Sequence, residues 1–370
     1  MNILINCSNL KIGGGLQVAH SFVSSLKDFS VHNFVVVCSS EMSNQFDTNT
    51  FPENVKFISY NIAPKAIKTI TGKDIFLDKI VLENEIEVVF SVFGPTYWKP
   101  KVKHIVGYAK PHYVYTDSPF FETLSIMSSL KLNLKKFFHM YDFKHNNQEL
   151  ITENEDVSKR LRLILKGKEI FTVTNYYNQV FDQPEKWDSS LKLSNFDGFT
   201  MLTVSANYPH KNLQIIPKVI TYLNQNYKDF KFRFVVTLKE GELGFKQDGI
   251  SNKNIVYLGK TNINQCPSLY SQSDAIFLPT LLECFTATYP EAMRMKKPIL
   301  TSNLNFATGL CENAALYFEP LDAKDIGDKI YQLANNELLK KELVTNGEKQ
   351  LKKYDTYATR AEKYIEIITK

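Results

Sequence analysis

Short apolar runs alternate along this chain with stretches of helical periodicity. The segment 2–6 contains one apolar run, residues 3–5, and residues 275–278 form another. Runs of this length, bounded by turn residues, are typical of buried strands. The first run is followed by apolar residues at helical spacing, namely Leu16, Val18, Ala19, Phe22, Val23 and Leu26. The alternation predicts parallel sheets whose strands are joined by helices, which is an α/β fold.

The same pattern starts again near Thr200. Residues 201–204 are apolar and 205–210 form a polar turn before a further helical stretch. The apolar residues of that stretch are Ile215, Ile216, Val219, Ile220 and Leu223. Ahead of this point, strands are predicted at 149–154 and 169–175, with a basic helix between them. The sequence therefore predicts two α/β units.

Domain boundaries follow from a break in the periodicity. Residues 176–198 contain Gln183-Pro184 and little regular pattern, which is typical of a connecting segment. We therefore expect a first domain at 1–175, a linker at 176–198 and a second domain at 199–352. A final helix is predicted at 356–370.

Two acidic residues follow the predicted strand at 275–278, where the next helix begins. Glu283 and Glu291 are separated by seven residues, and ligands of open α/β sheets bind where strands end and helices begin. Carboxylates at such a place can accept hydrogen bonds from ligand hydroxyls. Two plainer interpretations stay open: Glu291 completes a capping box with Thr288, and Glu283 is a solvated loop acid.

Two turns are suited to an anion. Gly13-Gly14-Gly15 lies between the first strand and the first helix, where glycines let the backbone approach a phosphate at the positive helix end. Lys211 stands before the first helix of the second unit and adds a full charge there. A plain turn and a solvated surface lysine are the alternatives. The sequence contains neither the dinucleotide fingerprint nor a Walker loop.

The order of these features resembles the retaining glycosyltransferases of family 4, also called glycosyl transferases group 1. That family has the GT-B fold, in which two Rossmann-like domains with parallel sheets face each other across a cleft. The resemblance covers most of the chain and includes Gly13-Gly14-Gly15 and the two glutamates. The other matching segments are 209–212, 254–259, 269–279, 297–302 and 314–322. The resemblance implies that the helix at 356–370 packs back on the first domain.

The resemblance also implies roles for individual residues. Glu291 would accept hydrogen bonds from the donor ribose, Glu283 would contact the transferred sugar, and Lys211 would contact the diphosphate. Lys260 and Thr261 would lie near the nucleobase. The implied donor-binding residues are Gly14, Gly15, Lys211, Lys260, Thr261, Cys284, Phe285, Thr286 and Glu291. The implied catalytic residues are Glu283, Lys211 and His112.

The sequence departs from the family pattern near the expected phosphates. Ala206 stands where many members have an arginine, and Cys284 and Thr286 stand where glycines are usual after the first glutamate. No Asp-x-Asp occurs, so no carboxylate pair for a divalent metal is indicated. We therefore expect no metal and no cofactor, with backbone amides and Lys211 stabilising the leaving diphosphate.

The first domain is expected to bind the acceptor. Segments 90–98 and 103–113 each end in a turn rich in glycine, proline and aromatic residues, a kind of edge on which sugar rings stack. The candidate acceptor-binding residues are Gly94, Tyr97, Trp98 and His112. The family often has a histidine after the second of these strands, which is why His112 is included. A histidine with a purely structural role is the alternative.

A basic amphipathic segment is also present in the first domain. Residues 99–144 hold eight lysines against three acids, and 130–139 interleave lysines with apolar residues. Such a helix can rest on an anionic membrane surface and reach a lipid-linked acceptor. An ordinary domain helix with a solvated lysine face is the alternative.

The composition of the chain limits the classes of protein to which it can belong. The 370 residues, 44% of them hydrophobic, suffice for two cores. The net charge of +5 is spread out, with 22 basic and 21 acidic residues before Thr200, so no nucleic-acid partner is expected. The five cysteines form no Cys-x-x-Cys motif, and Cys7 and Cys38 are expected to be buried free thiols in a reducing compartment. We see neither a signal peptide nor an apolar run of spanning length, so a cytoplasmic protein, soluble or peripheral on the membrane, is expected.

These features predict a retaining glycosyltransferase that moves a sugar from a nucleotide-diphosphate sugar to a saccharide or lipid-linked acceptor in bacterial surface polysaccharide biosynthesis. Two alternatives stay open. One is a GT-B nucleotide-sugar 2-epimerase, which would isomerise a sugar without any acceptor. The other is a catalytically inactive GT-B protein that binds a nucleotide sugar or acts as a scaffold, and Ala206 is the residue that keeps it open.

Overall fold

The chain folds into two compact units. The computed structural model describes residues 1–11, 13–62, 66–243 and 252–370. The first unit comprises Met1–Thr116, Thr123–Asn175 and Asp355–Lys370, and the second comprises Asp117–Glu122 and Tyr176–Tyr354. Each unit is built on one parallel sheet joined by helices. The predicted fold class, two Rossmann-like α/β domains, is confirmed.

The first unit has a seven-stranded sheet in the order β3-β2-β1-β4-β5-β6-β7. Its strands are β1 (Asn2–Cys7), β2 (Asn33–Cys38), β3 (Val55–Ser59), β4 (Val88–Ser91), β5 (Lys103–Tyr108), β6 (Glu149–Thr152) and β7 (Glu169–Thr172). Ile3 and Ile5 pack in one core cluster and Leu4 packs in another, because successive side chains of a strand point to opposite faces. Both faces of the sheet are therefore covered.

Side-chain caps determine where most helices of this unit begin. The helices are α1 (Gly14–Ser25), α2 (Ser40–Ser43), α3 (Ala66–Thr71), α4 (Ile75–Glu83), α5 (Ile126–His145) and α6 (Glu155–Ile164). Ser39, Asp74, Ser125 and Asn154 each accept a hydrogen bond from a backbone N–H of the helix that follows. Helix α1 begins instead after Gly13, whose φ of 79° is a conformation that glycine adopts without strain.

The second unit has a six-stranded sheet in the order β10-β9-β8-β11-β12-β13. Its strands are β8 (Phe199–Thr203), β9 (Phe232–Val236), β10 (Ile255–Tyr257), β11 (Ala275–Leu278), β12 (Ile299–Ser302) and β13 (Ala315–Phe318). Its helices are α7 (Ile216–Asn226), α8 (Cys266–Ser271), α9 (Thr288–Arg294), α10 (Asn305–Cys311), α11 (Ala323–Ala334) and α12 (Glu337–Leu351). The apolar positions predicted for α7 are buried in the core of this unit.

The last helix, α13 (Tyr357–Thr369), belongs to the first unit. Thr356 caps it by accepting a hydrogen bond from the Thr359 N–H. The Tyr364 ring meets the Phe22 ring edge to face at 5.1 Å between centroids, and the guanidinium of Arg360 donates to Ser21 Oγ at 2.7 Å. The Tyr364 ring and the buried guanidinium of Arg360 therefore attach the last helix of the chain to α1.

Several smaller predictions can be compared with the structure. The strand predicted at 2–6 is β1, and the strand predicted at 275–278 is β11. Cys7 and Cys38 are buried free thiols, as predicted, and the other three cysteines are buried free thiols as well. Within the described ranges, no helix combines the length and apolar character needed to cross a membrane.

Replacing Tyr364 with alanine should destabilise the first unit. The ring is 2% exposed and lies against both Phe22 and Phe90, so its removal leaves a cavity that costs about 3 to 5 kcal/mol. Urea unfolding followed by circular dichroism measures the loss. Glu366→Ala, on an exposed position of the same helix, is the control, and equal effects of the two variants would contradict the packing described.

Candidate functional site

The site is organised by the point where the second sheet reverses its strand order. Strands β8 and β11 are neighbours there, and the loops that follow two such parallel strands lie side by side, the usual place for a ligand in an α/β sheet. Thr203 Oγ donates to Phe277 O at 2.8 Å, which joins the strand ends. The Leu281 N–H donates to His210 O at 2.8 Å, which joins the two loops.

These loops bring Lys211 and Glu283 together as an ion pair. Lys211 ends a 3-10 turn, Pro209–Lys211, and Asn212 follows in the left-handed conformation with φ of 53°. The Asn212 side chain donates to Pro320 O at 2.8 Å, which fixes the turn. The Lys211 and Glu283 side chains are only 17% and 14% exposed. The interpretations of Lys211 as a solvated surface lysine and of Glu283 as a solvated loop acid are therefore wrong.

Glu291 lies in α9 and is 7% exposed. The residue before this helix is Ala287, and no side chain caps it, so the capping-box interpretation of Thr288 and Glu291 is wrong. Glu291 Oε2 instead accepts a hydrogen bond of 2.7 Å from the Tyr270 hydroxyl. Burial raises the pKa of Glu291 to about 7, and the bond from Tyr270 opposes that rise. The structure thus keeps a buried carboxyl group in the helix that directly follows the Glu283 loop.

The segment that connects the two units supports this carboxyl group. The Phe181 ring is fully buried and meets the Tyr270 ring edge to face at 5.5 Å between centroids. Asp182 pairs with Arg294 of α9 at 2.6 Å and also accepts a hydrogen bond from the Tyr177 hydroxyl. The sequence analysis assigned no role to Tyr270, Phe181 or Asp182, since no short motif marks a residue whose partner is distant in sequence.

The other predicted donor-binding residues of the second unit lie in the loop before α9 and in the turn after β10. Cys284 and Phe285 are buried and Thr286 is half-buried in the loop before α9, where the Phe285 ring contacts the Tyr354 ring. Lys260 is exposed and Thr261 is half-buried, directly after Gly259. Cys266 links this turn to the carboxyl group: its thiol interacts with the Thr261 side chain, and burial together with the nearby Glu291 charge raises the pKa of Cys266 to about 12.

Gly14 and Gly15 lie at the corresponding reversal point of the first sheet, where β1 and β4 are neighbours. A Cβ on Gly15 would lie 3.2 Å from the Phe93 ring, whereas a Cβ on Gly14 would meet no atom of the described residues within 4 Å. Close packing thus favours glycine at position 15. The Asn9 side chain donates to Phe93 O at 2.7 Å, which joins the loop after β1 to the loop after β4.

One of the predicted acceptor-binding residues is wrong. Trp98 is fully buried in a core cluster and its Nε1–H donates to Asp78 at 2.9 Å, so its ring has no face for a saccharide. Gly94 is also buried, and a Cβ there would lie 2.7 Å from the Phe143 ring. Tyr97 and His112 are half-buried. Close packing within the first unit therefore accounts for the residues at positions 94 and 98.

A buried histidine near Tyr97 escaped the sequence analysis. His139 of α5 lies with Nδ1 2.9 Å from the Tyr113 hydroxyl and Nε2 3.3 Å from the Tyr97 hydroxyl. Burial, with the charges of Lys110 and Lys135, lowers the pKa of His139 to about 3. The ring is therefore neutral and fixes two tyrosines. In the sequence His139 only ended the basic segment, so nothing distinguished it.

Among the residues that the structure describes, no group of three or more His, Cys, Asp or Glu side chains is placed to hold a metal ion.

Residues 188–350 match the family model described as glycosyl transferases group 1. Among curated proteins, the O-antigen chain mannosyltransferase RfbU of Salmonella typhimurium is 25% identical over 224 residues, which are 58% of this chain and 56% of that protein. An uncharacterized glycosyltransferase, MJ1178 of Methanocaldococcus jannaschii, is 28% identical over 162 residues, 41% of this chain and 43% of that protein. The alignments thus span about half the length of these curated relatives. The segment that matches the group 1 glycosyl transferase model lies within the second unit.

Solved structures resemble the chain over its whole length. Sucrose-phosphate synthase from Thermosynechococcus elongatus has a TM-score of 0.72 at 12% identity, covering 99% of this chain and 98% of that one. A glycosyltransferase from Rickettsia africae has a TM-score of 0.69 at 15% identity, covering 99% and 97%. WaaG, a glycosyltransferase involved in lipopolysaccharide biosynthesis, has a TM-score of 0.69 at 12% identity and covers all of both chains. At these identities the likeness shows the GT-B fold alone.

The buried carboxyl group predicts a particular pH dependence of stability. With the pKa of Glu291 raised from 4.5 to about 7, the folded protein retains a proton that the unfolded chain has released in this range. Stability therefore falls as the pH rises through this window, by about 3 kcal/mol for this group. Glu291→Gln should remove that loss, so the variant gains stability over the wild type between pH 5 and pH 8 in chemical unfolding.

Tyr270→Phe should change the pH dependence of stability in the opposite direction to Glu291→Gln. It removes the hydrogen bond that favours the ionised carboxylate, so the loss of stability above neutral pH should grow, and it should disappear again in the double variant with Glu291→Gln. Parallel pH profiles for the wild type and all three variants would contradict the buried state of Glu291.

Proposed function

We propose that this chain is a retaining glycosyltransferase that moves a sugar from a nucleotide-diphosphate sugar to a saccharide or lipid-linked acceptor. The observation that carries the proposal is the arrangement of Lys211 and Glu283 on the loops at the reversal point of the second sheet, with Glu291 in the helix that follows the second loop. The group 1 glycosyltransferase domain over 188–350 supports it. Surface polysaccharide biosynthesis in the cytoplasm is the proposed setting, supported by a relative named as an O-antigen chain mannosyltransferase.

Glu291 is proposed to hold the ribose of the donor. An ionised carboxylate accepts hydrogen bonds from two adjacent hydroxyl groups, and such charge-assisted bonds are stronger than neutral ones. The Tyr270 hydroxyl already fixes one carboxylate oxygen. Donor binding then favours the ionised form and lowers the pKa of Glu291 from its raised value in the free protein. Thr261, which contacts Cys266 beside Glu291, is proposed to lie towards the base with Lys260.

Lys211 is proposed to act on the leaving diphosphate, and Glu283 is proposed to act on the transferred sugar. As the bond between the sugar and the diphosphate breaks, negative charge accumulates on the leaving phosphate, and the Lys211 ammonium offers donors to it. Glu283 holds Lys211 in the free protein and is proposed to orient the sugar hydroxyls once the donor is bound. The backbone amides of Cys284, Phe285 and Thr286 are proposed as further donors to the diphosphate.

The proposed transfer needs neither a metal ion nor a protein nucleophile. The acceptor oxygen attacks the anomeric carbon on the face from which the phosphate leaves, and the acceptor proton passes to the departing phosphate oxygen. In this scheme one carbon–oxygen bond forms as the other breaks. His112 is proposed as the acceptor-side residue, with Tyr97 and the loop after β4 beside it in the first unit.

A second candidate function is a catalytically inactive protein that binds nucleotide sugars. The observation in its favour is Ala206, which is exposed in the loop after β8 and carries no charge to offer a phosphate. Donor binding without turnover of any acceptor would favour this candidate, and isomerisation of the sugar without an acceptor would favour a 2-epimerase.

Donor binding can be measured by thermal shift. UDP, GDP and dTDP, and the sugars attached to them, are screened with the wild type, and the matching donor at 100 times its dissociation constant should stabilise the protein by about 2.7 kcal/mol. Glu291→Ala and Lys211→Ala should each remove most of the shift. Glu342→Ala and Lys341→Ala, which are exposed on α12, should leave it intact. A full shift with Glu291→Ala would contradict the proposed ribose contact.

A turnover measurement distinguishes the proposed catalytic role of Glu283 from the role of the donor-binding residues. If Glu283 acts on the sugar as the bond breaks, Glu283→Gln should lower kcat by about 100-fold or more while the donor shift persists. Release of the nucleoside diphosphate in the presence of acceptor is the measurement, with Glu342→Gln as the matched control. An unchanged kcat, or a lower affinity with kcat intact, would remove Glu283 from the proposed catalytic residues.

A further inference from the structure

The outer face of α5 is unusually apolar for a surface helix. Ile126, Met127, Leu130, Leu134 and Phe137 have exposures between 59% and 81%. Four of them recur at intervals of four, four and three residues along the helix, so they form one stripe. Single exposed apolar residues are ordinary, but a continuous stripe of large ones marks an interaction surface. We call these five residues the α5 stripe.

The other side of the helix attaches it to the first unit. His139, Asp142 and Phe143 are buried, and Asp142 accepts hydrogen bonds from the Thr96 and Tyr97 amides at 2.9 and 3.0 Å. These anchors all lie in the C-terminal half of α5. The stripe lies in the N-terminal half, which is exposed over most of its surface. The helix is therefore held at one end, while the apolar face at the other end is exposed among the residues that the structure describes.

The charge on α5 has one sign wherever it meets solvent. Lys131, Lys135 and Lys144 are exposed and Lys136 is half-buried. The acidic residue of the helix, Asp142, is fully buried. The N-terminal half of α5 thus combines large apolar side chains with lysines and carries no exposed carboxylate to repel an anionic surface.

We propose that the α5 stripe docks on the surface of an anionic lipid bilayer. Large apolar side chains of an amphipathic helix enter the boundary between headgroups and acyl chains, and flanking lysines contact the anionic headgroups. The uniformly positive charge favours this occupant over a second copy of the chain, because two α5 helices placed face to face would bring their lysines together. The proposal goes beyond sugar transfer, since it concerns a surface rather than the donor site.

Flotation with lipid vesicles tests the proposal directly. The full chain should float with vesicles of phosphatidylglycerol and phosphatidylcholine and should bind pure phosphatidylcholine vesicles about 10-fold or more weakly, since exposed lysines are attracted to an anionic surface. Leu130→Asp with Leu134→Asp should abolish binding to both. Leu338→Asp is the matched control, because Leu338 is 80% exposed on a helix of the second unit.

Charge and insertion can be separated with a second pair of variants. Lys131→Gln with Lys135→Gln should weaken binding to the anionic vesicles by about 10-fold and reduce its salt dependence. Lys228→Gln with Lys341→Gln, at exposed lysines of the second unit, should change neither. Circular dichroism and the nucleotide thermal shift show that each variant is folded, and flotation requires no turnover, so failure here leaves the proposed function untouched.

Three outcomes would overturn the proposal. The first is failure of the wild type to float with the anionic vesicles. The second is vesicle binding that the α5 variants leave unchanged. The third is a dimer, measured by light scattering, that Leu130→Asp with Leu134→Asp dissolves in a protein that binds no vesicles, because the stripe would then serve a second copy of the chain.

Discussion

The site depends on a single buried interaction, the hydrogen bond from the Tyr270 hydroxyl to Glu291. A carboxyl group taken out of water is costly unless it is hydrogen-bonded or protonated, and the raised pKa of Glu291 expresses that cost. The surrounding structure is arranged to keep this carboxyl in place. Tyr270 itself is fully buried, so its hydroxyl has little freedom to turn away, and α9 carries Glu291 directly after the loop that bears Glu283.

The connecting segment contributes to the same arrangement. A segment without periodicity would ordinarily be a passive tether, yet Phe181 packs against Tyr270 and Asp182 pairs with Arg294, which lies in the same helix as Glu291. The Trp187 indole N–H donates to Val180 O at 2.8 Å, which folds the segment on itself. A displacement of this segment would therefore move both Tyr270, which is the hydrogen-bond partner of Glu291, and α9, which is the helix that carries Glu291. The linker and the donor site form one packed assembly within the second unit.

Local pattern predicted the fold well and the site only in part. Apolar runs such as 275–278 specify buried strands because a parallel sheet is apolar on both faces. The identity of Glu291 as a buried carboxyl could not be deduced, since a spacing of three residues from Thr288 fits a capping box equally well and only tertiary packing decides. Trp98 could not be interpreted correctly from local pattern for the same reason. An aromatic residue in a turn is a reasonable ligand-binding candidate, but the indole N–H of Trp98 donates to Asp78, twenty residues earlier in the chain.

The ion pair of Lys211 and Glu283 connects the structure of the free protein with the proposed reaction. Each charge partly neutralises the other in a site that is only slightly exposed, so the loops after β8 and β11 stay together before any ligand arrives. A diphosphate brings more negative charge than one carboxylate and competes for the Lys211 ammonium. In the proposed reaction, Lys211 turns to the phosphate, and Glu283 then loses its partner and gains acceptor capacity for sugar hydroxyls. In the proposed enzyme, donor binding therefore prepares both catalytic groups in one step, which neither residue could achieve if it were solvated alone.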